Sequence, residues 1–201
     1  MFKHLLAHPG VDEICELRSP FGFMAFHGGA LEEQTDIVAR LAAEKSGSSY
    51  YGVHQPPDLK WHIDSHKINP ADSRTLASFI DHVDVVVTIH GYGRKDLFTT
   101  LLLGGKNREL ASHVAGYLRT WLPTYAIEQD LQQIPIELAG QHPLNPVNLP
   151  RGGGVQIELP PRVRGTSPYW ANWKGPELTP HTQALVDGLA EAAINWQTLT
   201  T

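Results

Sequence analysis

The chain contains a single cysteine, Cys15, in 201 residues. One thiol cannot form an internal disulfide, and it excludes cysteine-rich zinc sites and paired-thiol redox motifs. Any metal ion would therefore have to be held by histidines and carboxylates.

Long apolar runs are absent as well. Nowhere do about 18 apolar residues follow one another, which is the length needed to cross a membrane. The first residues, MFKHLLAHPGVDEICELRS, lack the apolar core of a secretory signal. We therefore expect no signal peptide, no transmembrane segment and no membrane partner, in a protein that is either cytoplasmic or released when a host cell lyses.

Excess positive charge is also missing. The 16 basic and 21 acidic residues give a net charge of −5, which argues against a nucleic-acid partner. The G-x-S-x-G element of many serine hydrolases is absent. The glycines at 152–154 precede a strand-like run, whereas the glycines of a nucleotide-binding loop follow one.

Short apolar runs alternate with stretches of helical period, which predicts one α/β domain over residues 1–201 with a mixed, largely parallel sheet. The runs at 21–26, 85–89 and 155–159 predict strands. Periodicity and capping residues predict helices at about 37–46, after a cap at Asp72, at 107–121 and from Pro180 onward. Residues 47–70 look irregular apart from an extended piece near 60–64, and 133–154 look like a functional loop.

Polar residues stand at the ends of all three predicted strands: His27, His90 and Glu158. If these strands are parallel neighbours, the side chains converge at the carboxyl edge of the sheet, where such folds bind ligands. Glu32 follows His27 after a glycine turn. Two imidazoles, one carboxylate and an open position are the usual set of a catalytic zinc site. Glu158, desolvated beside them, could then act as a general base.

Each of these residues also has an ordinary interpretation. A histidine after a strand is commonly a capping or surface residue, and Glu158 could be the outward member of an alternating edge strand. His62 and His66 flank the extended piece near 60–64. Either could bind substrate or orient a metal ligand, but an ordinary polar loop residue is the favoured interpretation for both.

Five strings, taken in order along the chain, resemble the poly-γ-glutamate hydrolase family, phage-type zinc enzymes related to the carboxypeptidases. They are AFHGGALE (25–32), LKWHIDSHKINPAD (59–72), TIHGY (88–92), NPVN (145–148) and GGGVQIELPPRVR (152–164). The family commonly has threonine at the position of Asp64, and it shares the five-residue separation between His27 and Glu32.

The resemblance implies a three-layer α/β/α fold of the zinc carboxypeptidase type, also described as phosphorylase/hydrolase-like. It implies one zinc ion held by His27, Glu32 and His90, with Glu158 as the catalytic glutamate. The implied activity is hydrolysis of γ-glutamyl amide bonds in poly-γ-glutamate, with the zinc ion and Glu158 together activating a water molecule. The oligomeric state stays open, and a monomer is plausible.

Arginines are candidates for binding the substrate and its developing oxyanion. Arg94 and Arg164 follow the predicted active-edge strands, and seven basic residues near that edge in sequence could form a basic cleft: Arg94, Lys95, Lys106, Arg108, Arg151, Arg162 and Arg164.

Two other functions compete with this one. A zinc amidohydrolase of the same fold could act on cell-wall peptides or N-acyl amino acids with an identical metal site. A non-catalytic metal-binding module is a weaker alternative, because a site that only holds a metal does not need Glu158.

Overall fold

A single seven-stranded sheet runs through the protein, whose computed structural model describes residues 1–175 and 178–200, with side chains described as far as residue 196. The strands are β1 (Asp12–Glu16), β2 (Ser19–Gly29), β3 (Ser48–Gln55), β4 (Val85–Gly91), β5 (Thr100–Leu103), β6 (Ala126–Glu128) and β7 (Gly154–Leu159). The helices are α1 (Phe2–Leu6), α2 (Thr35–Ser46), α3 (Arg74–His82), α4 (Arg108–Trp121) and α5 (Pro180–Thr200).

The strands follow the order β1-β3-β2-β4-β7-β5-β6. The four central strands, β3, β2, β4 and β7, are parallel, whereas β1 pairs antiparallel with β3 and β5 pairs antiparallel with β7. The carboxyl ends of the four central strands therefore meet at one edge. The predicted mixed, largely parallel sheet is confirmed.

Helices cover both faces of the sheet. Side chains at Val85, Val87 and Ile89 of β4 join the core beneath α2, α4 and α5, while Val86 joins the core beneath α1 and α3. Because successive residues of a strand point to opposite faces, an uninterrupted apolar run such as this one needs helices on both sides. The result is the expected three-layer α/β/α arrangement.

The three predicted strands are confirmed as parts of β2, β4 and β7, and the four helices as α2 to α5. The cap of α3 is one residue later than predicted, since the side chain of Ser73, not that of Asp72, accepts a hydrogen bond from the backbone N–H of Leu76. The long loop is confirmed as irregular structure broken by two 3₁₀ turns, 136–138 and 146–148.

The prediction that 47–70 is irregular is wrong, because β3 occupies most of its first half. Sequence SSYYGVHQ has few β-branched residues, yet Tyr50 and Tyr51 are buried in the two opposite cores. Its polar side chains are hydrogen-bonded: Ser49 donates to the carbonyl of Ser19, and the amide of Gln55 donates to the carbonyl of Trp61. The piece near 60–64 is not a strand, and the short strands β1, β5 and β6 were not predicted.

Two glycines provide a matched test of this backbone. Gly29, at the end of β2, has φ +70°, and a Cβ added there would lie 2.1 Å from the carbonyl oxygen of Gln55. Gly116 lies exposed within α4, with no neighbouring atom within 4 Å of an added Cβ. We expect Gly29→Ala to lower the free energy of unfolding by roughly 2–4 kcal/mol. Gly116→Ala should raise it by about 0.5–1 kcal/mol.

Urea denaturation of both variants measures this difference. Equal stabilities for the two variants would contradict the close approach of β2 to β3 at Gly29.

Candidate metal centre

A β-bulge in β2 determines where His27 points. Ala25 lies opposite Gly52 and Gly28 opposite His54, so β2 has two residues, Phe26 and His27, where β3 has one. An extra residue interrupts the alternation of side chains and re-aims those at the bulge. The ring of His27 consequently lies 5.1 Å, between centroids, from the ring of His90, which belongs to the neighbouring strand β4.

The register of β4 and β7 brings His90 and Glu158 together. The two residues are direct partners in this parallel pair. Ile89 and Ile157, one position earlier, face the core beneath α2, α4 and α5, so His90 and Glu158 both point to the opposite face. Their exposed fractions are 3% and 5%.

Glu32 lies between the two buried imidazoles. The backbone N–H of Glu32 donates to the carbonyl of His27 at 2.8 Å, which folds the chain back after the strand. One carboxylate oxygen, Oε1, lies 2.8 Å from Nδ1 of His27. The other, Oε2, accepts a 2.8 Å hydrogen bond from the N–H of Gly91 and lies 3.4 Å from Nδ1 of His90.

The far nitrogens of both imidazoles meet the segment that follows β3. Nε2 of His27 donates to the carbonyl of Ile63 at 2.9 Å, and Nε2 of His90 lies 3.5 Å from the hydroxyl of Ser65. Such contacts on the outer nitrogen orient a metal-binding imidazole and select its tautomer. In both residues Nδ1 is thus the nitrogen that faces Glu32.

A third imidazole, that of His62, lies beside the pair. Its ring centroid is 4.7 Å from that of His27, and one donor atom each of His27, Glu32 and His62 lie within 4.8 Å of one another. The donor set of imidazole nitrogens and a carboxylate oxygen suits zinc. Among the described residues these three side chains form a candidate metal site, and with the adjacent His90 we call them the metal cluster.

The sequence did not single out His62 as a ligand. Its side chain is about half exposed, and it lies in an irregular segment where no strand or helix pattern predicts its direction. The signal that could have identified His62 was its place in LKWHIDSHKINPAD, one of the five strings that carry the family resemblance.

A chain of amides holds the carboxyl group of Glu158. The side-chain amide of Gln156 donates to Glu158 Oε1 at 2.9 Å, and the amide of Asn145 donates to Gln156 Oε1 at 2.8 Å. Burial, together with the negative charge of Glu32, raises the pKa of Glu158 to about 7. Burial acts in the same direction on Glu32, but the neighbouring His27 and His90 outweigh it and hold the pKa of Glu32 below its usual range.

A cavity of about 550 Å³ opens over this cluster. Its lining includes His27, Glu32, His90 and Glu158, together with residues from two segments, 62–66 and 136–145. The long loop predicted to be functional therefore forms part of the wall of the cavity. A bound molecule would contact this loop and the four converging side chains at once.

Neither of the two candidate arginines lines the cavity. Arg164 is 8% exposed and donates to the carbonyls of Glu33, Leu159 and Tyr92, and Arg94 forms an ion pair with Glu137. The expected basic cleft is likewise absent from the described lining residues, which include no lysine or arginine. The reason is that spacing after a strand gives an arginine's position in the chain but not the direction of its long side chain.

A family model described as Poly-gamma-glutamate hydrolase matches residues 7–168. The chain belongs to this family. The match covers most of the chain, including the whole central part of the sheet and every residue of the metal cluster. It confirms the resemblance carried by the five sequence strings.

A curated protein and a solved structure are also similar to this chain. The UPF0714 protein YndL of Bacillus subtilis (strain 168) is 29% identical over 147 residues, which are 72% of this chain and 54% of YndL. The chain thus spans about half the length of this curated relative. A bacteriophage poly-gamma-glutamate hydrolase has a TM-score of 0.76 at 22% identity, covering 94% of this chain and 90% of its own.

Two further solved structures share this fold. Zinc-free YndL has a TM-score of 0.68 at 20% identity, covering 94% of this chain and 89% of its own. A carboxypeptidase candidate from Burkholderia mallei has a TM-score of 0.51 at 10% identity, covering 96% of this chain and 65% of its own. The expected carboxypeptidase-like fold is confirmed.

Within the described residues, no helix combines the length and the apolar character that crossing a bilayer requires.

The raised pKa of Glu158 predicts how the stability of the metal-free protein depends on pH. Because the folded-state pKa of about 7 exceeds the ordinary value of 4.5, the carboxyl group contributes stability that is fully present below pH 4.5. That contribution is lost as the pH rises through 7. Glu158→Gln should therefore raise the free energy of unfolding more at pH 8 than at pH 5, by up to about 3 kcal/mol.

Denaturation at both pH values, with zinc removed by a chelator, measures the difference. Glu109→Gln, on the exposed surface of α4, is the control and should give the same change at both. A gain for Glu158→Gln that does not depend on pH would contradict a desolvated carboxyl group.

Proposed function

We propose that this protein is a zinc-dependent hydrolase that cleaves the γ-glutamyl amide bonds of poly-γ-glutamate. The observation that carries the proposal is the convergence of four side chains in the lining of one open cavity: the buried His27, His90 and Glu158 and the partly buried Glu32. The family to which the chain belongs, and the bacteriophage enzyme that shares its fold, support this substrate.

His27, Glu32 and His90 are proposed to hold the zinc ion. The Glu32 carboxylate already approaches Nδ1 of both imidazoles, and the outer nitrogens of those imidazoles are oriented by Ile63 and Ser65. The existence of a zinc-free form of YndL supports zinc as the metal. A zinc ion bound there would polarise the scissile carbonyl and lower the pKa of a water molecule.

Glu158 is proposed to move the proton. Its carboxylate takes a proton from the attacking water and then delivers it to the nitrogen of the leaving amine. A group that must both accept and donate a proton near neutrality works best with a pKa close to the working pH. In the metal-free protein, burial raises the pKa of Glu158 to about 7, toward this requirement. The hydrogen bond from Gln156 to Oε1 orients the carboxyl group and leaves its other oxygen, Oε2, for this transfer.

A second candidate function uses the same site on a different amide, in a cell-wall peptide or an N-acyl amino acid. The absence of lysine and arginine from the described lining of the cavity favours this alternative, since a polyanion gains most from cationic partners. A panel of γ-glutamyl, α-glutamyl and muropeptide substrates discriminates between the two functions. Cleavage of the γ-glutamyl substrate at the highest kcat/KM supports the first.

Metal analysis beside activity provides the direct test. We expect about one zinc ion per chain in both the parent and Glu158→Gln, because Glu158 is not a ligand in this proposal. Hydrolysis of poly-γ-glutamate should fall by at least about 10²-fold in Glu158→Gln. Full activity of this variant would remove Glu158 from the mechanism, and loss of zinc would make it a ligand.

The contributions of His90 and His62 can be separated by measuring zinc affinity. His90→Gln should weaken zinc binding by roughly 100-fold or more, whereas His62→Gln, which removes a half-exposed neighbour, should weaken it by less than about tenfold. Competition with a chromogenic chelator measures both. The reverse ranking would put His62 in the coordination sphere in place of His90.

A further inference from the structure

The cavity needs a group that binds carboxylate if the proposed function, on which this inference rests, is correct. Every residue of a γ-linked glutamate chain keeps its α-carboxylate, next to the amide that is cleaved. A carboxylate that enters a partly enclosed site must regain hydrogen bonds there, because leaving it unpaired is costly. The question is therefore which donors of the cavity are free.

Most of the polar side chains on the cavity wall are already engaged. The amide of Gln141 donates to the carbonyls of Gly105 and Ala139, and those of Asn145 and Gln156 belong to the chain that ends on Glu158. These amides are therefore not available to a ligand. The described lining residues also include no lysine or arginine. Imidazoles are the main side-chain donors that remain.

Two imidazoles from different segments form a pair at the cavity wall. The ring of His66, in the turn Ser65–Lys67, lies 4.7 Å between centroids from the ring of His142, in the loop that precedes β7. Both residues are exposed, and both belong to the cavity that contains the metal cluster. Their side chains are thus open to a molecule that occupies it.

The hydrogen bonding of His142 makes its outer nitrogen a donor. Nδ1 accepts a 3.1 Å hydrogen bond from the backbone N–H of Leu144, so the neutral ring carries its proton on Nε2. Within the described residues, the ring nitrogens of His66 have no hydrogen-bond partner, so the one N–H of its neutral ring is free to donate to a ligand.

Two acidic residues of the same wall, Asp64 and Glu137, form ion pairs with cationic side chains. Nζ of Lys67 lies 2.6 Å from a carboxylate oxygen of Asp64, and Arg94 forms an ion pair with Glu137. These pairs reduce the repulsion that a substrate carboxylate would otherwise meet there. They also occupy the cationic side chains of Lys67 and Arg94, which leaves the imidazoles as the donors.

We propose that His66 and His142 form the binding site for a free α-carboxylate of the γ-linked substrate. Their N–H groups hydrogen-bond the carboxylate while the neighbouring amide lies over the four converging side chains. The pair makes the site select γ-linked glutamate over γ-linked amides that lack the carboxylate. His66 and His142 are specificity-determining residues and take no part in the bond cleavage.

A matched pair of substrates tests the proposal. An oligomer of 4-aminobutyrate has the same amide spacing as a γ-glutamyl oligomer and lacks only the α-carboxylates. His66→Gln and the double variant with His142→Gln should raise KM for the γ-glutamyl oligomer roughly tenfold or more, with kcat nearly unchanged. KM for the 4-aminobutyrate oligomer should change by less than about twofold in the same variants.

His4→Gln, an exposed histidine of α1, is the control and should leave both KM values unchanged. Thermal melting checks that each variant is folded. Because His66 has no described hydrogen bond to lose, His66→Gln carries the test even if His142→Gln loosens its loop. An unchanged KM for the γ-glutamyl oligomer, or an equal rise for both oligomers, would overturn the proposal.

Equilibrium binding separates this inference from the proposed function. Calorimetry with a γ-glutamyl pentamer, on protein carrying Glu158→Gln, should show binding that weakens by the same factor when His66→Gln is added. If the parent cleaves no γ-glutamyl substrate while this weakening is observed, the proposed function fails and the carboxylate site stands. If the pentamer binds equally well with and without His66→Gln, the carboxylate site fails whatever the activity.

Discussion

The carboxylate of Glu32, buried between the imidazoles of His27 and His90, is the interaction around which the site is organised. A buried carboxylate is costly unless it is paired and hydrogen-bonded. Here two imidazoles and the N–H of Gly91 meet that need. The same contacts bring together donors that are far apart in the chain. The metal cluster is therefore also the means by which the ends of β2 and β4 are held in place.

Three backbone features make this arrangement possible. The bulge in β2 re-aims His27, the turn after it returns Glu32, and the parallel register of β4 and β7 pairs His90 with Glu158. Two of these features lie at the end of β2 and the third in the pair of β4 and β7, so the site depends on these central strands being formed. The carboxyl edge of the sheet then brings together ionisable side chains whose proximity would be unfavourable elsewhere in the molecule.

The central strands and their terminal polar residues could be predicted because the signal is local. An apolar run that ends at His90 indicates both a strand and a side chain at its edge. The strand β3 escaped prediction, since its burial comes from its place between β1 and β2 and not from its own composition. Its Tyr51 is buried although SSYYGVHQ is polar in appearance.

The directions of side chains in loops could not be predicted from the sequence. His62 joins the metal cluster and Arg164 stays outside the cavity lining for the same reason, which is that tertiary contacts of irregular segments determine both positions. Family resemblance supplied the chain positions of the proposed ligands, but not the directions of these neighbouring side chains. The residues that distinguish one substrate from another therefore had to come from the structure.

Arg164 links the three segments that carry Glu32, Glu158 and His90. Its guanidinium donates to the carbonyls of Glu33, Leu159 and Tyr92, which follow Glu32, Glu158 and His90 closely in the chain. A Cβ at Gly91 would lie 2.8 Å from Cζ of Arg164, so the glycine gives the guanidinium room to pass. The charged side chain of Arg164 thus holds these three segments, and with them the side chains of Glu32, Glu158 and His90, at a fixed spacing before any ligand binds. Preorganisation of this kind spares the protein the entropy loss of assembling the site at the moment of binding.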